Sequence, residues 1–161
     1  MPSMMKTLSC LLVCIVLLAG CAAAEQEVLL PGGRFAVDVP DWMEYSDPVD
    51  GDAGVEAYIS DDLEMDFVAA TKEDMIALGM AADLQETARE KRAAGEKVKI
   101  QDVNGIRMLF IQAVDDADNA PCLGYVIEDG EWIIEINFWY ATQEAADEAK
   151  KIMESIREID I

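Results

Sequence analysis

"KVKIQDVNGIRMLFIQAVD", Lys97 to Asp115, is two β-rich runs hinged on Asn104-Gly105. Asn-Gly between alternating apolar residues is the strongest short-range hairpin signal, because both residues accept the positive φ that a tight type I′ turn demands. A second pair follows directly: "CLGYVIE" and "WIIEINFWY" are joined through Asp129-Gly130. In the last strand Trp132, Ile134, Ile136 and Phe138 share one face, while Ile133, Glu135, Asn137 and Trp139 share the other, which is mixed. Four consecutive antiparallel strands are therefore expected.

Outward from this region, the upstream chain also reads as strands. "RFAVDVPDW" alternates Phe35, Val37 and Val39, and "VEAYIS" and "LEMDFVAA" flank a polar turn at Asp61-Asp62. Leu63, Met65, Phe67 and Ala69 lie on one side of the third strand, with Glu64 and Asp66 opposite, so one side is expected to meet water. The period changes at Thr71. Thr71 and Asp74 form a capping pair for a helix running to about Ala94, with Ile76, Met80, Leu84 and Thr87 as its inner stripe and Gly95 as its stop. The closing "TQEAADEAKKIMESIREI" starts at a Thr142 cap and repeats Ala145, Ala149, Ile152 or Met153, and Ile156 at helical spacing. The order β-β-β-α-β-β-β-β-α describes an α+β domain, a largely antiparallel sheet of six or seven strands covered by two helices.

The N-terminus reads as a processing signal. Lys6 precedes an apolar stretch from Leu8 to Leu18, too short for the roughly 20 apolar residues a membrane span requires. Leu18-Ala19-Gly20-Cys21 resembles the bacterial lipobox, in which the cysteine thiol takes a diacylglyceryl group and the preceding peptide bond is cut. Residues 1–20 are thus expected to be a lipoprotein signal peptide, residues 21–33 a lipidated Cys21 with its tether, and residues 34–161 one domain. Two or more acyl chains anchor firmly where one does not, so the expected product is exported and membrane-attached without spanning. It would sit on the outer face of the cell membrane, or on the outer membrane of a diderm organism.

Charge and cysteines narrow the functions. The chain has 33 acidic and 12 basic residues, a formal net charge of −21, and loss of the leader removes only Lys6 from this balance. Such a surface opposes nucleic acid and anionic head groups, and it favours cations or basic protein surfaces. Of the 4 cysteines, Cys10 and Cys14 leave with the signal and Cys21 takes lipid. Cys122 is expected to be a buried structural residue. There is no histidine, which removes His-based triads and histidine zinc sites, and no Gly-x-Ser-x-Gly or phosphate-binding glycine loop occurs. No enzyme activity and no cofactor are expected.

"GGRFAVDVPDWMEY", the central helix, the paired hairpins, "WIIEINFWYA" and the terminal "KKIMESI" resemble the PsbP-like fold, over roughly Arg34 to Ile159. That family includes a Ran-binding nuclear import factor and several bacterial envelope lipoproteins. The resemblance implies an α/β/α sandwich whose members mostly bind proteins or assist assemblies, with no shared catalytic set to carry over.

Two groups of candidate site residues remain. Trp42 and Tyr45, just beyond the first strand, are candidates for protein binding, since aromatics bury much area at little conformational cost. Asp47, Asp50 and Asp52, with Asp115, Asp116 and Asp118, are candidates for calcium, which needs several oxygen ligands around one point. Both stretches lack the closing glutamate of a calcium loop. The expected function is a lipid-anchored extracytoplasmic binding or assembly-accessory domain with an envelope protein as partner. The alternative is a solute- or cation-binding lipoprotein serving uptake or sensing.

Overall fold

The computed structural model describes residues 24–46, 55–114 and 119–160. Its centre is a seven-stranded antiparallel sheet ordered β3-β4-β5-β9-β8-β7-β6. The strands are β3 (Glu44–Ser46), β4 (Glu56–Ile59), β5 (Leu63–Thr71), β6 (Lys97–Val103), β7 (Ile106–Val114), β8 (Pro121–Asp129) and β9 (Trp132–Tyr140). A three-stranded sheet, β1 (Glu25–Leu29), β2 (Phe35–Pro40) and β10 (Arg157–Glu158), is ordered β1-β2-β10. Among the described residues three helices complete the fold: α1 (Lys72–Ala77), α2 (Leu84–Ala93) and α3 (Gln143–Glu154).

Alternation along the strands separates two apolar layers. On one face Met65, Phe67, Met108, Leu123, Ile134, Ile136 and Phe138 form a core with α3 and with Val28, Phe35, Val37 and Val39 of the small sheet. On the other, Leu109, Ile111, Val126 and Ile133 pack against Leu84 and Ala88 of α2. Each large side chain moved out of water here contributes about 1.5–3 kcal/mol. The result is an α/β/α sandwich in which the small sheet shares one outer layer with α3.

The hairpins follow the expected chemistry. Asn104 and Gly105 have φ of 51° and 81°, and their strands pair from Val103↔Ile106 to Lys97↔Gln112. Asn104 has a second task. Its Nδ2 donates to the carbonyls of Glu154 (2.8 Å) and Ile156 (2.9 Å), binding the hairpin tip to the end of α3. The second turn sits one residue later than expected: Asp129 pairs with Trp132, so Gly130 and Glu131 form the loop.

Three expectations change. The single helix from Thr71 to Ala94 is two helices. Gly79 has φ 73°, its N–H reaches the Ile76 carbonyl (2.9 Å) and that of Met80 reaches Met75 (2.9 Å), the Schellman pattern that closes a helix. Asp83 then caps a new start, accepting from the Glu86 N–H at 2.8 Å. Ile76 and Met80, expected inside, are 67% and 52% exposed, whereas Leu84 is buried. Second, part of the expected tether is strand β1, paired with β2 from Glu25↔Pro40 to Leu29↔Ala36. Third, the first expected strand, β2, belongs to the small sheet; β3 supplies the seventh strand of the large one.

Candidate functional site

The polar turn between β4 and β5 and the start of α3 meet at one end of the sheet. Ser60 closes that turn: its N–H donates to the Leu63 carbonyl (2.8 Å), and its Oγ accepts from the Leu63 N–H (3.1 Å). The Ala141 N–H donates to the Asp62 carbonyl at 2.9 Å, docking the turn on the β9–α3 junction. Thr142 caps α3 by accepting from the Ala145 N–H at 3.1 Å. Glu144 falls in the first helical turn, where the helix dipole favours a carboxylate, and Glu148 follows on the same face.

The chain after β2 supplies the opposite wall. Met43 donates its N–H to the Pro40 carbonyl (3.0 Å) and buries its side chain, while its own carbonyl accepts from Gln26 Nε2 (3.2 Å). This anchored turn leaves Trp42 48% exposed. Tyr45, 49% exposed on β3, meets Tyr58 edge to face at 5.5 Å, and Tyr58 stacks on the buried Phe67 at 6.3 Å. A relay of rings thus fixes Tyr45 to the core.

Between these walls lies a cleft of about 860 Å³. Trp42 and Tyr45 both line it, with Ile59 and Leu63 as apolar floor and Glu44, Asp61, Asp62, Glu144 and Glu148 as carboxylates. Among the described residues its lining has no lysine or arginine. Lys151 stands outside, 3.5 Å from Glu148 and 3.6 Å from Glu25. Among the described residues no three acidic or cysteine side chains converge as a metal site would require. The carboxylates are spread along the rim, an arrangement that suits several separate positive charges more than one ion.

The two aromatic candidates are therefore brought together. Cys21, Asp47, Asp50, Asp52, Asp115, Asp116 and Asp118 lie outside the described residues. Cys122, expected to be buried, is half-buried in β8, beside a smaller cavity of about 220 Å³ that Lys91, Glu96 and Trp139 also line. The contribution of α3 to the cleft was not foreseen. Thr142 and the Asp61-Asp62 turn are both visible in the sequence, but nothing local joins residues so far apart.

A further acidic group lies on the α2 side of the sheet. Asp66 is half-buried, opposite Asn137 on β9. Burial raises its carboxyl to about 6, the hydrogen bond from Asn137 partly counteracts this, and Glu64 and Glu135 add to the rise. Gly124 makes room for Asn137, since a Cβ there would stand 3.3 Å from Asn137 Oδ1 and 3.4 Å from Ile111 Cβ. Asp66 was expected to meet water and does so only in part.

No protein-family model and no curated protein matches the chain. Solved structures do. A crystal structure from Bacteroides thetaiotaomicron VPI-5482 superposes with a TM-score of 0.58 at 11% identity, covering 84% of this chain and 48% of that one. The chain thus spans about half the length of that protein. The solution structure of cyanobacterial PsbP (CyanoP) from Synechocystis sp. PCC 6803 gives a TM-score of 0.53 at 16% identity, covering 87% of this chain and 95% of that one. At such identities the likeness concerns the fold alone, and the fold of this chain is the PsbP-like α+β sandwich.

Proposed function

We propose that the protein is a lipid-anchored extracytoplasmic domain that binds a basic surface of an envelope protein and acts as a binding or assembly accessory. The observation that carries this reading is the cleft in which Trp42 and Tyr45 lie half-exposed among five carboxylates. Rigid aromatics offer contact area and the faces of π-systems to lysine or arginine, and carboxylates select the same cations. The lipid anchor rests on the Leu18-Ala19-Gly20-Cys21 box, and among the described residues no helix is long and apolar enough to cross a membrane. The reading assigns the chain no catalytic role.

The lipidated protein in nanodiscs, titrated with an oligolysine peptide, tests it. Binding that weakens about 30-fold in Trp42→Ala, the loss of one aromatic anchor of about 2 kcal/mol, is expected. Equal binding by the variant, or none by either protein, overturns it. A second reading, a receptor for a small cationic solute, draws on the volume of the same cleft. Preference for a polyamine-sized cation over the peptide would favour it.

A further inference from the structure

The cleft lies at the root of the chain that leads to Cys21. The Asp41 N–H donates to the Ala24 carbonyl at 3.0 Å, and Trp42 is the next residue. Glu25 pairs with Pro40 in the sheet, and Lys151 links Glu25 to Glu148 on the cleft wall. Strand β1 therefore begins beside the cleft's aromatic lip, and only three peptide steps separate Ala24 from Cys21. At about 3.8 Å each these span at most about 11 Å. A domain lipidated at Cys21 would have this end within reach of the head groups.

Resting on the anchored-binder reading above, we propose that the short link holds the cleft against the bilayer, and that its occupant is a basic juxtamembrane segment of an integral membrane protein. Two features favour that occupant over a soluble partner. The aromatic lip faces the bilayer side, where a soluble protein would have to enter between domain and head groups. The carboxylates complement the lysines or arginines that can flank a span. Basic flanks are the less common kind on the exported side of a membrane, so charge also makes the cleft selective.

The test uses the full lipidated chain in its own membranes, with a photo-cross-linking residue in place of Asp61. Cross-links are expected on a net-basic peptide flanking a transmembrane span. A Gly/Ser insert of about 20 residues between Ala23 and Ala24 lengthens the link from three peptide steps to about 23, and the −3/2-power scaling of effective concentration lowers the yield about 20-fold. Cross-links that fall on soluble proteins or on lipid, or whose yield ignores the insert, overturn the proposal. Oligolysine titration of the same insert variant in nanodiscs separates the two readings. Retained peptide binding with linker-independent cross-links refutes the membrane placement alone, and absent peptide binding refutes the cleft itself.

Discussion

The substitution Asp66→Asn should stabilise the domain, and only above mildly acidic pH. The folded carboxyl is raised from 3.8 to about 6, first by burial, so the native state holds this proton more tightly than the unfolded chain does. Stability from this group is therefore fully present below about pH 4, falls as pH rises towards about 6, and is flat beyond. A shift of roughly two pH units corresponds to about 3 kcal/mol, but Asp66 is only half-buried, and solvent screening reduces this to about 1–2 kcal/mol. An asparagine side chain at this position would keep the shape, lose the charge beside Glu64 and Glu135, and still reach Asn137. Urea unfolding of both proteins across about pH 4 to 8 measures it, and subtraction cancels the carboxylates they share. The variant should lead by about 1–2 kcal/mol at neutral pH, with the gap closing near pH 4. A gap that does not depend on pH, or a variant less stable at about pH 8, would refute the reasoning.

Other perturbations address the frame around the cleft. Asn104→Gly keeps a residue able to adopt φ 51° but removes the two bonds to the Glu154 and Ile156 carbonyls, and should cost about 1–2 kcal/mol in urea unfolding. Gly79→Ala meets no atom within 4 Å, so its cost is the backbone penalty at φ 73°, about 1–2 kcal/mol, read as a lower midpoint with an unchanged denaturant slope. Phe138→Ala empties a fully buried position on the central strand and should cost about 3–5 kcal/mol.

The parts of the fold legible in the sequence were those written in local chemistry. Asn104-Gly105 carried its turn, alternation in β5 and β9 separated the two faces, and Thr71 and Thr142 cap the helices they precede. The break at Gly79 is equally local, but an apolar stripe through Ile76 and Met80 points to continuity, whereas the Asp83 cap lets Leu84 and Ala88 restart in a helix that packs on the sheet. Strand β10 could not be read, because Arg157 and Glu158 are charged and the strand exists only through its pairing with Ala36 and Phe35. Strand β1 is similarly polar at Glu25, Gln26 and Glu27. Of the cleft, Trp42 and Tyr45 were visible as aromatics in a loop region; Glu144 and Glu148 were hidden because only the tertiary fold carries the start of α3 to them.

On the proposed reading, the energetics of the cleft set the affinity to expect. Its carboxylates lie at an open rim, where each ion pair contributes about 0.2–1 kcal/mol and is weakened by salt. Trp42 and Tyr45, each half-exposed when the cleft is empty, can add about 2 kcal/mol apiece as anchors. Against a cost of association of at least about 4 kcal/mol, these terms leave a free peptide bound at best with a sub-millimolar Kd, rising several-fold between about 50 and 200 mM salt. Such affinity would be ineffective for a dilute soluble protein. For a domain confined to the plane of its partner, effective concentrations of about 1 mM compensate, and the weakness permits exchange between partners. A free basic peptide that bound with nanomolar affinity, or with no response to salt, would contradict this balance and place the binding energy elsewhere than on the aromatic and acidic walls of the cleft.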